Sequence, residues 1–252
     1  MSYRAMILVA ASVTLAACTS GATQGATANP DLSGPWARTG EGGYGGIIGD
    51  PEGLKGMKPP MTPWGEAKFN SHIPAMGIRG SAHPNDTTTF KCLPPGIPRI
   101  HREPGIMDFY AARGSIVQVW EFNHLFRVIH MDVQEHPADV HLYPTWMGHS
   151  IGHWEGDTLV VDTVGFNDRA WLDRMGHPQS ESLRVVERIR RVGDNLRIDV
   201  TIHDPVAYVE PWTPRPFEYK RNADAEFVEQ ICADKGDYDE VLEELTAKSD
   251  AP

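Results

Sequence analysis

Residues 196–202 alternate strictly. Leu196, Ile198, Val200 and Ile202 are apolar, and Arg197, Asp199 and Thr201 between them are polar. Period two is the repeat of an extended strand with one buried face. Gly193-Asp194-Asn195 separates this run from Leu183–Arg191, and that turn chemistry between two extended runs predicts a hairpin. The pattern recurs along the chain. Ile106–Tyr110 turns through Ala112–Ser115 into Ile116–Trp120, and Leu125–Met131 follows. Met147–Trp154 turns at Glu155-Gly156-Asp157 into Thr158–Thr163. A short strand around Trp36 opens the fold, and Pro216–Tyr219 with Glu226–Ile231 reads as a further pair.

Successive hairpins make an all-β antiparallel meander. Closure into a lipocalin-like barrel removes the exposed edges of such a sheet, with a β-sandwich as the alternative. Two short helices are expected. Near 63–70, Thr62 is the N-cap and Pro63 takes the first helical position. The other lies at 238–247, with Val241, Leu242 and Leu245 on one face.

The N-terminus fixes the expected compartment. Arg4 precedes an apolar run from Met6 to Ala17, and Leu15-Ala16-Ala17-Cys18 resembles the lipobox of a bacterial lipoprotein signal. The resemblance implies cleavage of residues 1–17 and lipidation of Cys18. Residues 18–29 then form a small, polar tether, and 30–252 form one β-barrel-like domain. Thr19 and Ser20 follow the cysteine, with no Asp beside it. The expected location is therefore periplasmic, lipid-anchored, at the outer membrane. The run is shorter than the roughly 20 apolar residues of a membrane-spanning helix. Cys92 and Cys232 remain as a pair in an oxidising compartment and are expected to form a disulfide. It would close a loop of about 140 residues, for which the chain-entropy relation gives roughly 4–5 kcal/mol.

The formal net charge of −11 argues against nucleic acid as a partner, since phosphate binding needs a basic surface. The expected contacts are a small molecule and, through the anchor, a membrane.

Gly165–Ser182 lies between two strands without any sustained period. Loops of this length in compact domains are often lids or binding loops. His177 is the natural acid–base group, with Asp173 or Glu181 to orient its ring. Asn167 could donate to a developing oxyanion, and Asp168 completes the catalytic candidates. Trp171, Trp146 and Trp120 are the aromatic candidates for a ligand, with Arg99 and His101 from a local basic cluster. The bland alternative is a packed loop in which these polar groups satisfy the backbone. His149 and His153 share a strand face with Glu155, but their Cα atoms would lie about 13 Å apart, too far for one ion. His124, His130, His136 and His141 lack the spacing of a zinc motif, so neither metal nor cofactor is expected. No phosphate loop, dinucleotide fingerprint or serine elbow occurs.

Pro144-Thr145-Trp146-Met147-Gly148, Trp154-Glu155-Gly156-Asp157-Thr158-Leu159-Val160-Val161, Gly165-Phe166-Asn167-Asp168 and Trp171-Leu172-Asp173 together resemble a family of exported bacterial proteins. The resemblance runs from about Pro30 through Cys232 and departs at His130 and over Glu135–Leu142. It implies export and attaches no activity. Three functions follow for testing. The leading one is binding of a small apolar or aromatic molecule in a barrel cavity. The alternative is an acid–base enzyme (lyase, isomerase or hydrolase) acting on such a molecule through His177. The third is a structural envelope lipoprotein.

Overall fold

The computed structural model describes residues 29–39, 59–75 and 79–230. Among them, nine strands close into a barrel in chain order. They are β1 (Trp36–Arg38), β2 (Ile106–Ala112), β3 (Ser115–Trp120), β4 (Phe126–His130), β5 (His149–Glu155), β6 (Thr158–Val164), β7 (Arg184–Val192), β8 (Asn195–His203) and β9 (Phe217–Arg221). The strictest alternation gives the longest ladder, β7 with β8, from Arg184↔His203 to Val192↔Asn195. Leu196, Ile198, Val200 and Ile202 are all buried in the core, as period two requires. Each such side chain contributes roughly 1.5–3 kcal/mol when fully buried.

Closure is made by β1, which pairs antiparallel with both β2 and β9. This is a barrel and not a sandwich. Two joins differ from the sequence reading. The pairing of β4 with β5 is parallel, Ile129↔Ser150 and His130↔Ile151, so the barrel is mixed. Residues 131–148 hold no strand and carry the chain back to the end where β4 began, which makes β5 parallel to it. The second difference concerns residues 226–230, which form no strand. The 217–221 run pairs with β8 and β1 instead, because β1 would otherwise keep an unsatisfied edge. The expected helix at 238–247, Cys18, Cys232 and the signal segment lie outside the described residues.

Two helices attach to the barrel. In α1 (Pro63–Ser71) the Thr62 side chain accepts from the Gly65 N–H, as its capping sequence predicts. Helix α2 (Thr87–Lys91) is capped by Asp86, and Cys92 ends it in a left-handed conformation. A 3₁₀ turn follows at Arg99–Arg102.

The interior is occupied by side chains. Arg127 on β4 reaches Glu187 on β7, with Nη1–Oε2 at 2.5 Å and Nη2–Oε1 at 3.0 Å. These strands are not neighbours, so the two groups meet across the barrel. Gln118 accepts from Arg127 Nε at 2.8 Å, and His101 Nε2 lies 2.8 Å from Glu187 Oε1. Trp36, Trp120, Ile129, Phe217 and Tyr219 pack around this network. Burial alone would raise the Glu187 carboxyl, but Arg127 and His101 hold it down at about 2. A buried ion set of this kind is tolerated because each member has partners.

Candidate functional site

The segment 165–182 is a folded plug at one end of the barrel. Trp171 bridges Pro178 antiparallel, and the Leu172 N–H donates to the His177 carbonyl at 2.9 Å. The tip between them is Asp173–His177, where Gly176 has φ +92°, a conformation that glycine adopts without strain. Asp173 closes this tip. Its Oδ1 accepts from the Met175 and His177 N–H groups at 2.9 and 3.2 Å. Its Oδ2 lies 2.7 Å from His177 Nδ1.

Both residues are buried, Asp173 at 0 % and His177 at 1 % exposure. Burial pushes the Asp173 carboxyl up. The His177 ring and the two backbone donors more than offset this and leave it below the usual carboxylate value. Hydrogen bonding to the carboxylate fixes the ring with its proton on Nδ1 whenever the ring is neutral. Nε2 then carries a lone pair, and this atom is buried with no hydrogen-bond partner among the described residues. Gln179 Oε1 and Trp212 Nε1 are also buried without a partner among the described residues.

The surroundings are aromatic. Phe69 of α1 lies 5.0 Å and Trp212 6.2 Å from the His177 ring, centroid to centroid. His72 stacks on Trp171 at 4.5 Å, and its Nδ1 lies 2.8 Å from the Gly176 carbonyl oxygen. Arg79 straps the cover down, donating to the Phe69 and His72 carbonyls at the end of α1 and to the Met175 carbonyl of the plug. From the other side, Asp204 accepts from the Ser180 N–H and hydroxyl at 2.6 and 2.7 Å, and the Tyr208 hydroxyl donates to the Pro178 carbonyl.

The remaining sequence candidates fall elsewhere. Glu181 and Asp168 are exposed, so Asp173 is the carboxylate that orients His177. Asn167 Oδ1 accepts from the Arg169 N–H at 3.0 Å in a local turn. Arg99 is fully buried, holding Asp86 through two bonds of 2.9 and 2.7 Å and Glu103 at 3.1 Å. Glu103 also receives Arg174 of the plug. His101 belongs to the interior network. Arg99 and His101 therefore anchor the architecture of the barrel end. Trp171 is buried in the plug, and Trp146 is half-buried in the segment that leads to β5. Trp120 is buried in the core and also lines an open groove of about 540 Å³ on the barrel wall. His153 is exposed beside Glu155 and does not meet His149.

Phe69, His72, Arg79 and Tyr208 were not candidates from the sequence. They come from segments far from His177 along the chain, and only tertiary packing brings them to it. The chain matches no family model, no curated protein and no solved structure.

Proposed function

We propose that the plugged end of the barrel holds a small aromatic or apolar molecule against His177, and that the Asp173–His177 pair transfers a proton on it. The supporting observation is the buried Nε2 of His177, which has no hydrogen-bond partner among the described residues. Leaving a buried polar group unpaired costs about 1–3 kcal/mol. A chain tolerates that cost where the group meets a ligand, a water or a reacting atom. The carboxylate-oriented imidazole is the arrangement general acid–base chemistry needs, and the aromatic walls fit an apolar molecule. Because the pair is enclosed, entry requires the α1–Arg79 cover to lift. In this reading the protein is exported and anchored at Cys18 in the outer membrane, with Cys92–Cys232 bridged.

A second reading, binding without chemistry, is favoured by the groove on the outer wall. Tyr110, Val119, Leu125, Phe126 and Phe227 line its volume of about 540 Å³ beside Trp120, a size usual for small-ligand sites.

A thermal-shift screen of aromatic and terpenoid compounds separates the two. A compound at 100 times its Kd stabilises by about 2.7 kcal/mol, a rise of roughly 5–10 °C for a chain this size. The acid–base reading expects such a compound to be turned over by the wild type and not by His177→Ala. Stabilisation lost in Phe126→Ala but unchanged in His177→Ala, with no turnover, moves the function to the groove and overturns the proposal.

A further inference from the structure

The outer wall carries a second constellation that the His177 site does not use. In β4 and β5 the alternation turns Arg127, Ile129, Ser150 and Gly152 inward, and His130 and His149 outward. Parallel pairing sets the two outward histidines side by side, with rings stacked at 4.9 Å and 14°. The 131–148 connection folds back over this wall and lays His136 against them. His136 Nδ1 and His149 Nδ1 are 2.9 Å apart. On its far side, His136 Nε2 lies 3.7 Å from Asp162 Oδ2. Arg184 fixes Asp162 through two bonds of 2.8 Å. A cavity of about 490 Å³, lined by His136, His141, Asp162 and Arg184, opens beside them.

We propose that His136 and His149, with His130 as a third donor, bind a divalent copper or nickel ion on the barrel wall. Asp162 stands beyond hydrogen-bond reach of His136 Nε2, which has no hydrogen-bond partner among the described residues. The Asp162 charge still favours the tautomer with the proton on that atom. His149 Nδ1 then donates to His136 Nδ1 across the 2.9 Å contact. An ion bound by both displaces that proton, and the neutral His149 ring is reprotonated on Nε2 from water. A carboxylate that accepts the other ring N–H is the usual support of a metal-binding imidazole, and Asp162 takes that place once His136 closes the remaining gap to it. The spacing also selects the metal. Two nitrogens 2.9 Å apart, each bonded at about 2.0–2.1 Å, subtend roughly 90° at the ion. That is the cis angle of a square or octahedral site and not of a tetrahedral zinc site. Copper and nickel also stand highest in intrinsic affinity for nitrogen donors. No group of three or more His, Cys, Asp or Glu side chains among the described residues stands ready around a common point. The pair is therefore the pre-set part, and His130 joins by swinging its ring out of the stack, with water completing the shell.

The test uses the full chain without a histidine tag, titrated calorimetrically with copper(II) and nickel(II) chloride. One ion per chain is expected. His136→Ala and His149→Ala each should weaken binding at least about tenfold, Asp162→Asn about 10–100-fold, and His153→Ala not at all. Nitrogen hyperfine splitting of the copper(II) resonance in the unmutated chain should count two or three imidazoles, a reading independent of whether any variant folds. Fewer than two imidazole nitrogens, or equal affinity in the wild type and the His136 and His149 variants, overturns the proposal.

Discussion

At the scale of single residues, two carboxylates compete for the role of orienting His177, and burial decides between them. Asp173 is enclosed and makes three hydrogen bonds at the tip of the plug, while Glu181 is exposed. Asp173→Asn keeps an oxygen for the two backbone donors but loses the charge that the imidazole faces. It should cost about 1.5–3 kcal/mol in urea unfolding, the range for a hydrogen bond to a charged group. Glu181→Gln should stay within about 0.5 kcal/mol, as for a surface position. Equal effects in the two variants would mean that Asp173 is no more tightly held than a surface acid. The Asp173–His177 pair was legible in the sequence because both members sit in one aperiodic loop, four positions apart. Arg99 and His101 were read as a basic cluster open to a ligand. Their partners Asp86 and Glu187 lie 13 and 86 positions away, a separation no local pattern reports.

At the scale of elements, α1 positions the cover over the plug, and its seat is narrow. A Cβ on Gly65 would stand 2.1 Å from the Ala207 carbonyl oxygen. In an isolated helix Gly→Ala is favourable by about 1 kcal/mol. Here Gly65→Ala must push α1 off the 204–208 turn and should destabilise by roughly 1–3 kcal/mol, as overpacking does. Hydrogen exchange checks it: faster exchange is expected in α1 and at the plug tip, with β7 and β8 unchanged. A variant as stable as the wild type would show that α1 does not rest on that carbonyl. The helix itself was legible, since Thr62 and Pro63 announce its start. So were the hairpins, because period two and Gly/Asp turns are local signals. The parallel β4–β5 join was not, because it depends on where residues 131–148 lead the chain, and those residues have no period. The convergence of His130, His136 and His149 was hidden for the same reason.

At the scale of the whole molecule, the buried charges tie stability to pH. Glu187 falls from 4.5 to about 2 in the fold. Its contribution is therefore complete above about pH 4.5 and is lost as pH drops toward 2. A shift of that size is worth about 3 kcal/mol. Asp86 and Asp173 are also lowered, burial being outweighed by Arg99 and by His177 respectively, and they act in the same direction. His101 and His72 are held below 6.5, chiefly by burial. The unfolded chain takes up their protons first, so stability begins to fall as pH drops through 6.5. The melting temperature should decline gently from pH 7 to 5 and steeply below 4.5. Glu187→Gln should flatten the steep part, and a wild-type curve flat from pH 7 to 3 would contradict the network. The same closed architecture, with charged side chains spanning its interior, leaves the plugged end as the place where chemistry is proposed. The most direct measurement there is the ¹⁵N shift of the two His177 ring nitrogens, taken at a pH where the ring is neutral, before and after adding the compound that most stabilises the fold. A proton on Nδ1 and an Nε2 resonance that moves when the compound binds are expected. A proton resident on Nε2, or an Nε2 signal that stays fixed while the compound binds, would contradict the proposed role of His177.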